Sequence, residues 1–342
     1  MKTKLFLVTP PFTQLNTPYP ATAYIKGFLN TKNIESVQAD LGIEVILALF
    51  SKKGLQDLFQ VFNSKFDESY SENAKRIFAL QDEYIKTIDS VIAFLQGKNP
   101  TLALQICQED FLPEASRFEQ LEELDWAFGT MGTQDKAKHL ATLYLEDISD
   151  FIVECIDENF GFSRYAERLG RSANSFDELY QKLQETPSYI DQITLKILSQ
   201  KLAEIQPELV CFSVPFPGNL YSAFKCAQYI NQHFPNTKTA MGGGFPNTEL
   251  RSLTDVRVME FFDFITLDDG ELPIELLCSP NPSKKGELKE FKRTFILEED
   301  KVAYKNKSSR HDYKQSEVGK PDYSDLQLNK YISVIEIANP MH

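Results

Sequence analysis

Cysteine motifs are the first feature that this chain lacks. Its five cysteines are Cys107, Cys155, Cys211, Cys226 and Cys278, and their wide spacing forms neither a CxxC pair nor a CxxxCxxC triplet. The sequence therefore predicts no zinc site and no ligated iron–sulfur cluster within its 342 residues. Reduced and mostly buried thiols are the expectation.

Long apolar runs and an excess of basic charge are also missing. Residues 1–4 are followed by only four apolar residues, too few for a signal peptide. No stretch approaches the roughly 18 apolar residues of a membrane-spanning helix. The net charge of −13 argues against nucleic acid, because phosphate binding needs clustered lysine and arginine. We expect a cytoplasmic protein with neither a membrane nor a nucleic-acid partner.

Alternating strand and helix patterns occupy both ends of the chain. A buried strand at residues 4–9, a helix at 20–30 and a strand at 34–40 form a β-α-β unit, which predicts a parallel sheet. The same pattern resumes with strands at 209–214, 237–241 and 261–267, and with helices at 190–205, 219–234, 247–253 and 271–278. Asn219 is the expected N-cap of its helix. The predicted fold class is α/β, with a doubly wound five-stranded parallel sheet of the flavodoxin or Rossmann type.

The middle of the chain has a different pattern. Residues 43–189 show helical periodicity with few strand signals, which predicts a large α-helical insertion. We therefore interpret residues 1–42 and 190–279 as one discontinuous α/β domain, and residues 280–342 as a β-hairpin and linker. The hairpin strands are expected at 291–297 and 302–304.

The candidate site lies where the predicted strands end. In open parallel sheets, ligands bind beyond the carboxyl ends of the strands. The candidate cofactor-binding residues are Thr9, Pro10, Pro11 and Phe12 after the first strand, Ser213, Val214, Pro215, Phe216, Gly218 and Asn219 after the third, Gly242, Gly243, Gly244, Phe245 and Pro246 after the fourth, and Asp269, Gly270 and Glu271 after the fifth. Three successive glycines leave room for a ligand against the backbone. No catalytic residue and no metal ligand is predicted.

These strand ends do not form a phosphate-binding loop. A dinucleotide fold needs GxGxxG after its first strand, so that backbone N–H groups meet the pyrophosphate. Here Pro10 and Pro11 stand at that place and donate no hydrogen bond. A Walker A sequence is absent, and so are the acidic residues of a phosphorylation receiver. The sequence therefore favours a ligand held by shape and apolar contact, with some polar anchors.

Five motifs in this order resemble the cobalamin-binding region of B12-dependent radical SAM enzymes, namely residues 9–11, 213–219, 242–246, 268–273 and 321–326. The resemblance covers residues 1–42 and about 190–342. It implies bound cobalamin without a histidine ligand to cobalt, because none of the four histidines lies in an Asp-x-His-x-x-Gly sequence. It also implies that residues 213–219 lie near the lower face of the corrinoid and that Gly242, Gly243 and Gly244 line its dimethylbenzimidazole tail.

The family's CxxxCxxC motif is expected shortly after residues 321–326 and does not occur before His342. The resemblance thus implies the N-terminal part of a longer polypeptide, unable to catalyse alone. A radical SAM barrel with its 4Fe–4S cluster and S-adenosylmethionine would then perform methyl transfer or a radical rearrangement on an unknown substrate.

Two alternatives to the cobalamin interpretation remain. The first is a non-catalytic ligand-binding or scaffolding α/β protein that has lost cobalamin, with its glycine edge filled by side chains such as Phe245 or Phe216. The second is a sugar- or nucleotide-dependent transferase that uses the same crevice.

Overall fold

The structure, a computed structural model, describes residues 4–64, 69–108, 110–123, 132–171, 175–278 and 290–335. It confirms the α/β class. The strands are β1 (Leu5–Thr9), β2 (Ser36–Asp40), β3 (Leu209–Ser213), β4 (Lys238–Gly242), β5 (Phe264–Thr266), β6 (Thr294–Glu298) and β7 (Lys301–Lys305).

All these strands belong to one sheet, in the order β2-β1-β3-β4-β5-β6-β7. β1 to β5 pair in parallel, whereas β6 and β7 pair antiparallel. The sheet is therefore mixed and larger than the five strands predicted. The hairpin joins its edge because Thr294 and Phe295 pair with the short β5, and the Phe295 side chain is buried.

The helices of the α/β region lie within a few residues of their predicted places, and further helices lie within residues 41–184. They are α1 (Ala21–Thr31), α2 (Leu41–Leu49), α3 (Lys52–Asn63), α4 (Glu72–Ala79), α5 (Gln81–Leu95), α6 (Ala103–Ile106), α7 (Gly132–Cys155), α8 (Glu167–Arg171), α9 (Asp177–Gln184), α10 (Tyr189–Ile205), α11 (Pro217–His233), α12 (Gly244–Glu249) and α13 (Glu271–Cys278). Short 3-10 segments lie at Pro100–Leu102, Ser116–Glu123, Val256–Glu260 and Leu328–Lys330.

Two helices begin earlier than predicted. Helix α11 begins at Pro217, a residue whose fixed φ suits the first helical position, so its N-cap is Phe216 and not Asn219. Helix α12 begins at Gly244, within the glycine run.

The two faces of the sheet carry separate apolar clusters, because successive strand side chains point in opposite directions. Leu5 and Leu7 pack with Phe28 of α1 and Leu277 of α13. Phe6 and Val8 belong to a larger cluster that continues into the helices of residues 43–189. The described part of that region contains no strand, as predicted, and its centre is aromatic, with Phe62 packed edge-on against Phe151. Since its core is continuous with that of the sheet, the domain division remains an interpretation.

The segment after β7 returns to the first α/β unit. A side chain at Gly27 of α1 would collide with the carbonyl of Lys320, so the two backbones touch at this glycine. The buried Lys26 forms an ion pair with Asp325, and the Gln38 backbone N–H of β2 donates to the same carboxylate at 3.0 Å. Residues 319–335 therefore cover α1 and the free edge of β2. Residues 280–289, the start of the segment predicted as hairpin and linker, lie outside the described residues.

Candidate functional site

A cavity of about 330 Å³ lies on the α1 and α13 face of the sheet, at the carboxyl end of its strands. Leu7, Cys211 and Ala240 line it from three adjacent strands, and Ile25 and Ile274 line it from the two helices. The cavity is within the size range of small-molecule sites and its lining is mainly apolar.

Three of the four predicted strand ends meet at this cavity. Its lining includes six predicted residues, which are Ser213, Gly242, Gly243, Asp269, Gly270 and Glu271. They come together because β3, β4 and β5 are neighbours in the sheet and end at the same edge. The structure thus brings three of the four predicted strand ends together at one cavity, and ligand binding there stays a prediction.

The remaining predicted strand end, that of β1, is covered by other parts of the chain. Thr9, Pro10, Pro11 and Phe12 are all buried. Phe12 packs edge-on against Phe160 and Tyr165, with ring centroids 5.7 and 6.0 Å away. These four predicted residues thus contact the helical region and do not line the cavity.

Asn219 also has a role different from the predicted N-cap. Its side chain is fully buried, and its Nδ2 donates to the carbonyls of Pro10 at 2.9 Å and Phe12 at 2.7 Å. A planar amide with two donors can satisfy both carbonyls of a loop whose prolines interrupt ordinary backbone pairing. Asn219 therefore fixes the loop after β1 against the start of α11.

The glycine run is required by contacts within the chain. A Cβ atom on Gly243 would lie 2.7 Å from the Val214 carbonyl oxygen, and the φ of Gly243 is 110°. A Cβ atom on Gly244 would lie 2.7 Å from the Pro215 carbonyl oxygen. The segments after β3 and β4 thus pack backbone to backbone, and Gly242 and Gly243 line the cavity beside this contact.

The remaining predicted residues divide between packing and the cavity mouth. Val214, Pro215, Gly218, Phe245 and Pro246 are buried. Gly218 is covered by the helical region, since a Cβ atom there would lie 2.8 Å from that of Arg164. Phe216 is 50% exposed, and its ring packs edge-on against Tyr19, a cavity residue, at 5.6 Å.

Sequence reasoning missed the cavity wall that is formed by α1 and the two residues before it. Tyr19, Thr22, Tyr24 and Ile25 line the cavity. The threonine and isoleucine are three residues apart and share a helix face, a spacing that signals a common surface. It does not signal which sheet face the helix covers.

Polar groups on the wall are few. Ser213 Oγ is buried, and it has no hydrogen-bond partner among the described residues. Thr266 Oγ1 makes one long bond, at 3.4 Å, to the Met241 carbonyl. A buried hydroxyl without a partner favours a ligand that supplies one, because an unsatisfied buried polar group is destabilising.

The wall between β5 and α13 is formed by residues 267–270, here called the rim loop. Arg293, buried at the start of the hairpin, donates to the carbonyls of Leu267 at 3.2 Å and Asp269 at 3.0 Å. Its guanidinium also forms two bonds of 2.8 Å with Asp312. On the other side, the Asp268 backbone N–H donates to Asn247 Oδ1 at 2.6 Å. The rim loop is thus held from two sides.

Carboxylates and a thiol give the cavity its chemical character. Asp268, Asp269 and Glu271 line it near the rim loop. Deep in the lining, burial raises the pKa of the Cys211 thiol well above its usual value, so this sulfur is a poor nucleophile. No group of three or more His, Cys, Asp or Glu residues in the described part of the chain could hold a metal ion. The cavity therefore combines a mainly apolar lining with three carboxylates.

A buried carboxylate lies at the covered end of the same sheet edge. Asp40 accepts hydrogen bonds from the backbone N–H of Gly42 at 3.0 Å and of Ile43 at 3.4 Å, and from the Tyr331 hydroxyl at 2.8 Å. Burial raises its pKa from the usual 3.8 to about 6. Asp40 thereby joins β2, α2 and the segment after β7 in one contact.

No protein-family model matches the sequence, and comparison with the curated proteins and with the solved structures found no match. Among the helices that the structure describes, none has the length and apolar character needed to cross a membrane.

Proposed function

We propose that this chain is the cobalamin-binding region of a radical SAM enzyme and that the cavity accepts the nucleotide tail of the corrinoid. The observation that carries the proposal is that Ser213, Gly242, Gly243 and residues 269–271, from three separate strand-end motifs, meet at one cavity. The order of β1 to β5, 2-1-3-4-5, is that of doubly wound, flavodoxin-like sheets, whose ligands bind at this edge.

The cavity lining fits the flat benzimidazole ring of the nucleotide tail better than it fits a chain of phosphates. The cavity lining is mostly apolar, and the unpartnered Ser213 hydroxyl supplies a donor for a ring nitrogen. The three carboxylates by the rim loop accept hydrogen bonds, and the corrinoid periphery carries carboxamide donors. Phe216 and Tyr19 offer aromatic surface at the mouth. Bound cobalamin would supply the methyl-carrying or electron-transferring cobalt, and the radical SAM part would supply the cluster.

Gel filtration after incubation with hydroxocobalamin tests this proposal. The purified chain should elute with the corrinoid, and the visible spectrum measures the bound fraction. Cobinamide, which lacks the nucleotide tail, should bind at least about tenfold more weakly if the cavity holds the tail, since the lost contacts are worth about 1.4 kcal/mol or more. Equal affinity for both corrinoids would place the tail elsewhere and contradict the proposal.

A matched pair of variants identifies the cavity. Ala240→Leu adds apolar atoms to the cavity lining and should abolish co-elution, whereas Ala79→Leu makes the same change at an exposed helix position and should bind normally. A nucleoside diphosphate serves as the contrasting ligand, and a thermal-shift measurement reports its binding. Stabilisation by the diphosphate, without retention of hydroxocobalamin, would favour the transferase alternative.

A second candidate function is a scaffolding protein without a cofactor. The observation in its favour is that Val214 and Pro215 occupy the space beside Gly243 and Gly244, so that internal packing accounts for two of the three glycines. This candidate expects the folded chain to retain no corrinoid and Ala240→Leu to be neutral or stabilising.

A further inference from the structure

We infer that Arg293, at the start of the β6–β7 hairpin, is a positioning residue for the ligand cavity, and that the hairpin therefore belongs to the site. The inference rests on the proposed function only in taking this cavity as the ligand site. Arg293 itself does not line the cavity. It acts on the rim loop, whose Asp268, Asp269 and Gly270 do.

The geometry of Arg293 is specific to a guanidinium. Four of its bonds lie at 2.8–3.2 Å, two to carbonyls of the rim loop and two to the carboxylate of Asp312. The planar group presents five N–H donors in fixed directions, which one ammonium group cannot reproduce. Asp312 compensates the charge, so the cation is held at the back of the loop at low exposure.

The rim loop needs this support because its own conformation is unusual. Asp268 has a φ of 59°, in the left-handed region that non-glycine residues seldom adopt. Its neighbours Leu267 and Asp269 direct their carbonyls to Arg293, on the side away from the cavity lining. When these acceptors lose their donor, the rim loop loses the support of one of its two sides, and the conformation that forms the cavity wall becomes less stable.

Cys211 provides a measurement of the cavity that needs no ligand. Its thiol is in the lining, and the residue is only 8% exposed, so its alkylation by iodoacetamide reports how readily the cavity opens. The measurement uses a Cys107→Ser chain, because Cys107 is the more exposed of the described cysteines. Peptide mass spectrometry then follows Cys211 separately, with the fully buried Cys226 as the internal standard for general loosening.

Arg293→Met should raise the alkylation rate of Cys211 about tenfold or more, because the rim loop loses two hydrogen bonds from a charged donor. Cys226 should stay unmodified. Arg293→Lys should recover part of the protection, and Asp312→Asn, which leaves both carbonyl bonds in place, should retain most of it. Arg257→Met removes a similar arginine–aspartate pair, with Asp255, outside the cavity lining and should leave Cys211 unchanged.

Unchanged Cys211 reactivity in Arg293→Met, or parallel modification of Cys226, would overturn the inference. If Arg293→Met does not fold, the alkylation of Cys211 is compared between Arg293→Lys and Asp312→Asn. Only Arg293→Lys removes hydrogen bonds to the carbonyls of the rim loop. Equal protection of Cys211 in these two chains would then overturn it. A wild-type chain that retains no hydroxocobalamin, yet shows the expected pattern of alkylation, refutes the cobalamin proposal and leaves the role of Arg293 standing.

Discussion

The carboxyl edge of the sheet has two halves. Both carry residues that are unusual at strand ends, but the structure uses these residues differently in each half. At the ends of β3, β4 and β5, glycine and acidic residues line a cavity. At the ends of β1 and β2, prolines and Asp40 are buried under Phe160, Tyr165 and Tyr331. Unusual residues at a strand end therefore mark close approach of another group, and that group can be the chain itself. The variants below test this contrast, from the largest expected effect to the smallest.

The contact between the two loops beside the cavity should be the most sensitive. Gly243→Ala places a methyl group 2.7 Å from the Val214 carbonyl oxygen and imposes a positive φ on alanine. We expect a loss of about 4 kcal/mol in the free energy of unfolding, measured by urea denaturation. Gly97→Ala is the control, since Gly97 also has a positive φ, but a Cβ atom there meets nothing within 4 Å. It should lose only about 1 kcal/mol. Equal losses in the two variants would mean that the positive φ alone explains the cost of Gly243→Ala.

The covered half of the edge depends on Asn219. Asn219→Ala leaves the buried carbonyls of Pro10 and Phe12 without their donor and should lower the free energy of unfolding by about 3 kcal/mol. Asn231 donates two similar bonds, to Glu260 and Phe261, but its side chain is exposed. Asn231→Ala should therefore cost less than about 1 kcal/mol, because water replaces the lost donor. A similar cost at both positions would argue against burial as the cause.

Asp40 should make the covered half depend on pH. Its pKa is raised to about 6 in the folded state, so the folded chain binds a proton more tightly than the unfolded chain. Its contribution to stability is present below about pH 4 and is lost as the pH rises to 6, by about 3 kcal/mol in all. Asp40→Asn keeps an acceptor for Gly42 and a donor for the Tyr331 hydroxyl oxygen. The variant should therefore exceed the wild type in stability above pH 6 and approach it near pH 4.

Asp255 provides the control of opposite sign. It is also an N-cap, but its hydrogen bonds with Arg257 lower its pKa. Asp255→Asn should reduce stability at neutral pH, and that reduction should disappear in acid as the wild-type carboxyl is protonated. If the stability changes of Asp40→Asn and Asp255→Asn depended on pH in the same way, this would contradict burial as the cause at Asp40 and pairing with Arg257 as the cause at Asp255.

The open half should respond in ligand affinity more than in stability. Ser213 Oγ has no partner in the described structure, so Ser213→Ala should change the free energy of unfolding by less than about 0.5 kcal/mol. The affinity of the Ser213→Ala chain for hydroxocobalamin should fall about fivefold, as expected for the loss of one hydrogen bond worth about 1 kcal/mol. Cobinamide binding should stay the same, because cobinamide lacks the tail to which the serine is proposed to bond. A stability loss with unchanged affinity would make Ser213 a packing residue.

Local patterns in the sequence were sufficient to place β1 to β5 and most helices within a few residues. The β-α-β periodicity and the proline and glycine punctuation depend on neighbours in the chain. The attachment of the hairpin to β5 was not predictable, because it depends on the pairing of Ile265 with Phe295, far apart in sequence. The same holds for Arg293, whose partners at Leu267, Asp269 and Asp312 are brought together only by the fold.

At the site, the sequence identified the strand ends and could not tell which ones the chain itself covers. That distinction depends on Phe160 and Tyr165, in a helical region whose position on the sheet has no local signal. The buried contacts of Asn219 were missed for a similar reason. Asparagine near a helix start suggests a cap, and only the neighbouring loop shows that its amide is used elsewhere.

The return of residues 319–335 onto α1 has a consequence for synthesis of the chain on the ribosome. β1 and α1 are made before the rest of the sheet, yet β1 lies between β2 and a β3 that is made much later. The groove at Gly27 receives Lys320 later still. β1 and α1 therefore wait with apolar and backbone groups exposed until β3 and residues 319–335 have been made. This nascent interval is the stage at which the protein is most open to chaperones and to aggregation.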